Sequence, residues 1–154
     1  MEGVSGNEFA PEKSINLAEA ITLASRMHSL FYGLPVEHPG IDGTWYGGYV
    51  AFAVSEGMLC KNQFTGYTRP ATRREVASIL ASALPETAFA AVKDTISIPD
   101  LSPDADGYEA VAMLYRAGVL TGSAGGRFEP ERTITRAEVA AIATRMVDSA
   151  LRVG

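Results

Sequence analysis

The sequence is poor in the residue types that carry covalent and metal chemistry. Its 154 residues include one cysteine, Cys60, and two histidines, His28 and His38. A single cysteine can form neither an internal disulfide nor a paired-cysteine metal site, and neither histidine stands in a recognisable catalytic pattern. We therefore expect Cys60 to be a small buried hydrophobic residue at the end of a helix. We also expect no metal site, no cofactor and no cysteine chemistry.

Long apolar runs and an excess of positive charge are absent as well. No segment approaches the roughly 20 apolar residues that a membrane-spanning helix requires, so membrane insertion is not expected. Met1-Glu2 and the polar residues after them do not have the pattern of a signal peptide. The net charge of −5 argues against non-specific nucleic-acid binding, which needs a basic surface. The composition, 47% hydrophobic and 20% charged, indicates a globular protein of one domain.

What the chain does contain is a segment that occurs three times. The copies begin at Phe9, Phe64 and Phe128, and each continues through a turn-forming stretch with proline or glycine. A capping box follows, in which a side chain and a glutamate three residues later satisfy free N–H groups at a helix start. The three boxes are Asn16–Glu19, Thr72–Glu75 and Thr135–Glu138.

Each box is followed by apolar residues at helical spacing, which predicts a helix with one face in the core. The three stripes suggest helices that meet at a shared axis. They comprise Ala20, Leu23, Ala24 and Met27; Val76, Ile79, Leu80 and Ala83; and Val139, Ile142, Ala143 and Met146.

A second amphipathic helix is predicted before two of the copies. One runs from Trp45 to Gly57 and the other from Tyr108 to Gly118, and glycine is the usual residue just beyond a helix end. We expect a truncated first repeat over residues 1–34, because few residues precede its phenylalanine, and whole repeats over 35–85 and 86–154. The connectors at 33–44 and 85–103 are expected to be ordered surface loops.

Two strings, Ile134-Thr135-Arg136-Ala137-Glu138 and Ala71-Thr72-Arg73-Arg74-Glu75, resemble the signature of surface-layer homology (SLH) modules. The approach from Gly122 to Pro130 and the tract from Asp100 to Leu120 are similar to theirs too, and the resemblance runs from Phe9 to about Val147. It implies an all-α, pseudo-threefold fold of helix-loop-helix units around a central three-helix bundle. It also implies an extracellular, non-catalytic module of the bacterial cell wall or S-layer, part of a longer exported protein. Such modules bind a secondary cell-wall polysaccharide, often pyruvylated, without covalent bonds.

The resemblance implies that Arg73 and Arg136 bind the carboxylate of such a ligand. Both stand at a helix N-terminus, where free N–H groups and the helix dipole favour anions, and a guanidinium grips a carboxylate with two parallel bonds. The alternative for each arginine is a solvated charge. The first copy has Leu17 at this position, so we expect no anion site there and at most two competent grooves.

Further candidate residues each have a structural alternative. Thr72 and Thr135 can contact sugar hydroxyls or act only as caps, and Glu75 and Glu138 have the same two readings. Trp45, the only tryptophan, either stacks on a sugar ring or anchors the core. Asp100 either caps a loop or contacts sugar. The expected ligand-binding set is therefore Thr72, Arg73, Glu75, Thr135, Arg136, Glu138, Trp45 and Asp100.

Two other functions are alternatives to wall anchoring. A protein–protein assembly module would retain the scaffold without glycan binding, and a homodimer through the incomplete first repeat is one form of it. A glycan hydrolase would need paired carboxylates. Asp100, Asp104 and Asp106 lie together in one loop with proline and glycine, a composition that suits turns better. We therefore expect no enzymatic activity.

Overall fold

The computed structural model describes residues 9–36, 43–123 and 125–154, and these contain five α-helices and no β-strand. The helices are α1 (Leu17–Tyr32), α2 (Gly47–Ser55), α3 (Arg73–Ala81), α4 (Tyr108–Arg116) and α5 (Arg136–Val147). Short 3₁₀ helices at Glu86–Phe89 and Ser149–Leu151 follow α3 and α5. The all-α class expected from the sequence is confirmed.

Helices α1, α3 and α5 begin directly after the three predicted caps, and all three capping boxes form. The side chains of Asn16, Thr72 and Thr135 accept a hydrogen bond from the glutamate N–H three residues on. Each glutamate in turn accepts the cap's own N–H at 2.9 Å. The box thus fixes where each helix starts, as its local sequence predicts.

Helices α2 and α4 are the two predicted leading helices. Each is followed by a glycine in the left-handed region, Gly57 with φ 72° and Gly118 with φ 69°. Both glycines are needed there, because residues with a Cβ rarely adopt this conformation. The helix-loop-helix organisation of the second and third copies is therefore present in the structure.

The residues just before the three caps join the copies through backbone hydrogen bonds that close a ring. The N–H of Ile15 donates to the carbonyl of Ile134, that of Ile134 donates to Ala71, and that of Ala71 donates to Ile15. All three residues are buried. Helix α1 packs against α2 and α3, and α3 packs against α4. The pseudo-threefold arrangement around a central three-helix bundle and the repeat boundaries stay predictions.

One continuous hydrophobic core receives the apolar stripes of all three capped helices, except Ala143 of α5, which is only partly buried and lies outside it. The expectation for Cys60 is wrong, because this residue is exposed. Helix α2 ends at Ser55, and the next buried positions after it are taken by Met58 and Leu59. Cys60 therefore lies beyond the core, in the turn that follows. His28 packs in the fold, with its Nδ1 3.0 Å from the carbonyl of Ala83, and His38 is outside the described residues.

Candidate functional site

The start of each capped helix is held against the turn of another copy, and we call these three contacts the α1, α3 and α5 junctions. At the α3 junction the N–H groups of Arg73 and Arg74 donate to the carbonyls of Arg132 and Pro130. The N–H of Glu75 donates to its cap, Thr72. The first three N–H groups of the helix are thus bonded within the protein. The sequence argument that free N–H groups await an anion is wrong for this helix.

The other two junctions repeat this backbone arrangement. At the α5 junction the N–H groups of Arg136 and Ala137 donate to Lys13 and Pro11, and at the α1 junction those of Leu17 and Ala18 donate to Arg69 and Tyr67. Arg73, Arg136 and Leu17 therefore occupy equivalent places in the fold. The difference between the junctions lies in their side chains.

Arg73 is buried at the α3 junction, with only 7% of its surface exposed. Its Nε donates to the carbonyl of Phe128 at 2.7 Å, its Nη1 to Glu138 Oε1 at 2.9 Å and its Nη2 to the carbonyl of Thr121 at 3.3 Å. The guanidinium carbon lies 5.1 Å from the centre of the Phe128 ring. A planar cation held by an aromatic face, a carboxylate and two carbonyls has a fixed orientation.

Arg136 is placed in the same way at the α5 junction and is 2% exposed. Its Nε donates to the carbonyl of Phe9 at 3.0 Å, its Nη1 pairs with Glu19 Oε1 at 3.0 Å, and its guanidinium carbon lies 5.2 Å from the Phe9 ring. The alternative of a solvated charge is therefore wrong for both arginines. Each links its own helix to the capping-box glutamate of the next copy.

The Glu138 carboxylate at the α3 junction is paired with two arginines. Besides Arg73 and the cap N–H, it accepts two hydrogen bonds from Arg132. Burial alone would raise its pKa, but the bonds from Arg132 and Thr135 and the charges of Arg132 and Arg73 outweigh burial and lower the pKa from 4.5 to about 2. Glu138 therefore stays ionised in all but strongly acidic solution.

Glu75 occupies the place in the α1 junction that Glu138 has in the α3 junction, but it is paired with only one arginine among the described residues. Arg69 donates to both of its carboxylate oxygens. Burial opposes ionisation, and the bonds from Arg69 and Thr72 overcome it and lower the pKa of Glu75. Sequence reasoning missed both Arg69 and Arg132, although each stands six residues before its glutamate and that shared spacing was a usable signal.

The α1 junction carries a different set of side chains. Leu17 is completely buried there, in the place that Arg73 and Arg136 occupy at the other two junctions. Trp45 is half exposed, so the core-anchor alternative is wrong. Its ring packs edge-to-face on Tyr46, and Tyr46 packs on Tyr67, whose carbonyl accepts the Ala18 N–H. The aromatic row of Trp45, Tyr46 and Tyr67 is thus linked to the α1 junction through Tyr67.

Asp100 holds the turn that carries Phe128. Its two carboxylate oxygens accept the N–H groups of Phe128 and Glu129 at 2.8 and 2.7 Å. Burial works against ionisation, but the backbone bonds and the charge of Arg127 together outweigh it and lower the pKa of Asp100. Asp104 and Asp106 are exposed in the loop between Asp100 and α4. Within the described ranges, no group of three histidine, cysteine, aspartate or glutamate side chains is placed to hold a metal ion.

Comparison with known proteins finds a family match over part of the chain and one relative along most of it. Residues 97–140, which contain Asp100, Thr135, Arg136 and Glu138, match the family model of the S-layer homology domain. An S-layer protein of Bacillus thuringiensis subsp. finitimus is 27% identical over 144 residues, which cover 89% of this chain and 18% of that protein. The chain thus spans less than a fifth of the relative's length. Among the described residues, no helix is both long and apolar enough to cross a membrane. The family match over residues 97–140 and the S-layer relative support the resemblance to the S-layer homology domain family that the repeats indicate.

Proposed function

We propose that the chain anchors a longer exported protein at the bacterial cell surface by binding an anionic, pyruvylated secondary cell-wall polysaccharide. The family match and the S-layer relative support a cell-surface anchoring module. The observation that favours an anionic ligand is the pair of arginines, each fixed on an aromatic ring at a junction between copies. Binding is non-covalent, and the module performs no reaction.

Within this proposal, the guanidinium groups of Arg73 and Arg136 receive the ligand carboxylate. Arg73 donates three of its five N–H groups to protein acceptors, and the longest of these bonds, 3.3 Å to the Thr121 carbonyl, is the most easily exchanged. A carboxylate that replaces this carbonyl gains a charge-assisted bond, which is about twice as strong as a neutral one.

The remaining candidate residues support the arginines in this proposal. Thr72, Thr135, Glu75 and Glu138 form the capping boxes and present oxygen atoms beside the junctions for sugar hydroxyls. Asp100 shapes the turn that carries Phe128, the ring on which Arg73 rests. Trp45 supplies an exposed aromatic face at the α1 junction.

Co-sedimentation with purified cell-wall sacculi tests the proposal. We expect the chain to pellet with intact sacculi and to stay in solution once the wall polymer has been removed chemically. Equal binding to stripped peptidoglycan would refute a polymer-specific site.

Arginine variants test the site itself. Because alanine would leave carbonyls without partners in a buried place, Arg73→Lys and Arg136→Lys are preferable, since they keep the charge and lose the planar fork. Each should weaken retention by more than about 1 kcal/mol. Arg116→Lys, the same change at an exposed position on α4, is the matched control and should have no effect. Unchanged retention by both junction variants, with helicity intact, would refute the site assignment.

A second candidate function is protein assembly at the cell surface. The end of α1 presents three consecutive large side chains to solvent, Leu30, Phe31 and Tyr32, of which Leu30 is 84% exposed. Exposed apolar patches mark interaction surfaces. Light scattering distinguishes a monomer from a homodimer, and a dimer that does not bind wall polymer would favour assembly.

A further inference from the structure

The row of three aromatic rings and the buried arginines lie at different junctions. At the two arginine junctions, Phe128 is fully buried, and Phe9, which is 39% exposed, has the Arg136 guanidinium over its ring. At the α1 junction the aromatic row of Trp45, Tyr46 and Tyr67 reaches solvent, and Leu17 stands where the other two junctions have an arginine. The three junctions are equivalent in backbone and unlike in chemistry.

The ionised groups of the α1 junction compensate each other. The Glu75 carboxylate is gripped on both oxygens by Arg69, whose side chain is 43% exposed. At the α3 junction the corresponding carboxylate, Glu138, has two arginines instead. The α1 junction therefore offers a ligand one closed ion pair, whereas the α3 junction offers a second cation.

The aromatic row has a geometry suited to an uncharged ring. The centres of the Trp45 and Tyr46 rings are 5.5 Å apart at 89°, and those of Tyr46 and Tyr67 are 5.6 Å apart at 36°. Half of the Trp45 surface is exposed. A sugar ring has an apolar face of C–H groups that gains free energy when it covers such a surface, and tyrosine hydroxyls can bond its polar rim.

We propose that the α1 junction is a subsite for an uncharged sugar residue, distinct from the carboxylate-binding arginine junctions. The inference rests on the proposed function, because both kinds of subsite bind one polysaccharide. The α1 junction then contributes to binding through the aromatic residues of the second repeat, and the chain binds two features of one polymer, its acidic substituent and its neutral sugars.

Trp45 is the only tryptophan in the sequence, so its fluorescence reports directly on this junction. The probe is the purified wall polysaccharide, titrated in its native form and after chemical reduction of its carboxyl groups to alcohols. We expect the reduced polymer still to change Trp45 emission in a saturable way. Tyr67→Leu should weaken its binding about five-fold, corresponding to about 1 kcal/mol, and the exposed control Arg116→Lys should leave it unchanged.

The control is Tyr32→Leu, since Tyr32 is an exposed tyrosine at the opposite end of α1 from the junction. It should bind both polymers as the unmodified chain does. If the native polymer binds in an Arg73-dependent manner but the reduced polymer leaves Trp45 emission unchanged, the neutral subsite is refuted and the proposed function stands. If neither polymer binds, the proposed function is refuted, and the neutral subsite is refuted with it. An emission change with protein concentration alone would assign the aromatic row to a second copy of the chain.

Discussion

The charge of Glu138 offers the sharpest test of the junction chemistry. Glu138→Gln removes that charge while keeping an oxygen for the cap, because glutamine also serves as the last residue of a capping box. The carboxylate is held by two hydrogen bonds from Arg132, one from Arg73 and one from the Thr135 N–H. The variant therefore isolates the ionic part of the α3 junction.

The expected magnitude follows from the pKa of Glu138, which is about 2 in the folded chain against an ordinary 4.5. That difference corresponds to about 3 kcal/mol of folding free energy. Because about a third of the Glu138 side chain is exposed, solvent screening reduces it to about 1–2 kcal/mol. A lowered folded pKa stabilises the fold above the unfolded value of 4.5, and this stabilisation is lost as the pH falls towards 2.

Urea unfolding at pH 7, 4, 3 and 2 measures the effect. At pH 7 the variant should unfold with about 1–2 kcal/mol less free energy than the unmodified chain, and the gap should close as the pH approaches 2. Glu75→Gln is the matched comparison and should show a smaller gap, since Glu75 is paired with one arginine, Arg69, whereas Glu138 is paired with two. A gap for Glu138→Gln that is constant from pH 7 to pH 2 would refute the assignment of the charge to folding.

Three further predictions concern the scaffold. Arg73→Leu should lower the free energy of unfolding by about 2 kcal/mol, because two carbonyls lose their hydrogen-bond donor. Arg73→Ala should lower it further, because the smaller side chain also leaves a cavity. If urea unfolding gave the same loss for both variants, leucine would not fill this place as Leu17 does at the α1 junction. Gly118→Ala should lose more stability in thermal unfolding than Gly57→Ala, because its Cβ would lie 2.6 Å from a backbone oxygen whereas Gly57 faces open space. Asp100→Ala should speed amide hydrogen exchange at Phe128 and Glu129, whose N–H groups donate to the Asp100 carboxylate.

The helices were predictable because their signals are local. Each capping box occupies four residues, and α1, α3 and α5 begin one residue after Asn16, Thr72 and Thr135 as the sequence predicts. Gly57 and Gly118 likewise marked the ends of α2 and α4 through a conformation that favours glycine. A pattern of this kind needs no knowledge of distant parts of the chain.

The contacts of the arginines were not predictable, because they are non-local. Arg73 meets a glutamate 65 residues away, and Arg136 meets one 117 residues away. The sequence places both arginines at helix starts but does not show that another copy's turn takes the neighbouring N–H groups. The same limit applies to Trp45 and Cys60, whose exposure depends on which other side chains fill the core.

The proposed ligand contact and the folding contact of each arginine compete for one guanidinium, and the two junctions resolve that competition differently. At the α3 junction Glu138 keeps Arg132 if Arg73 turns towards a ligand carboxylate, so no carboxylate is left unpaired. At the α5 junction Lys13 stands in the place of Arg132, and among the described residues the ion pair of Glu19 is with Arg136. Releasing Glu19 would leave a half-buried charge without its partner, which is unfavourable. We therefore expect Arg73→Lys to weaken sedimentation with wall polymer more than Arg136→Lys, and the reverse order would show that Arg136 is the principal ligand contact.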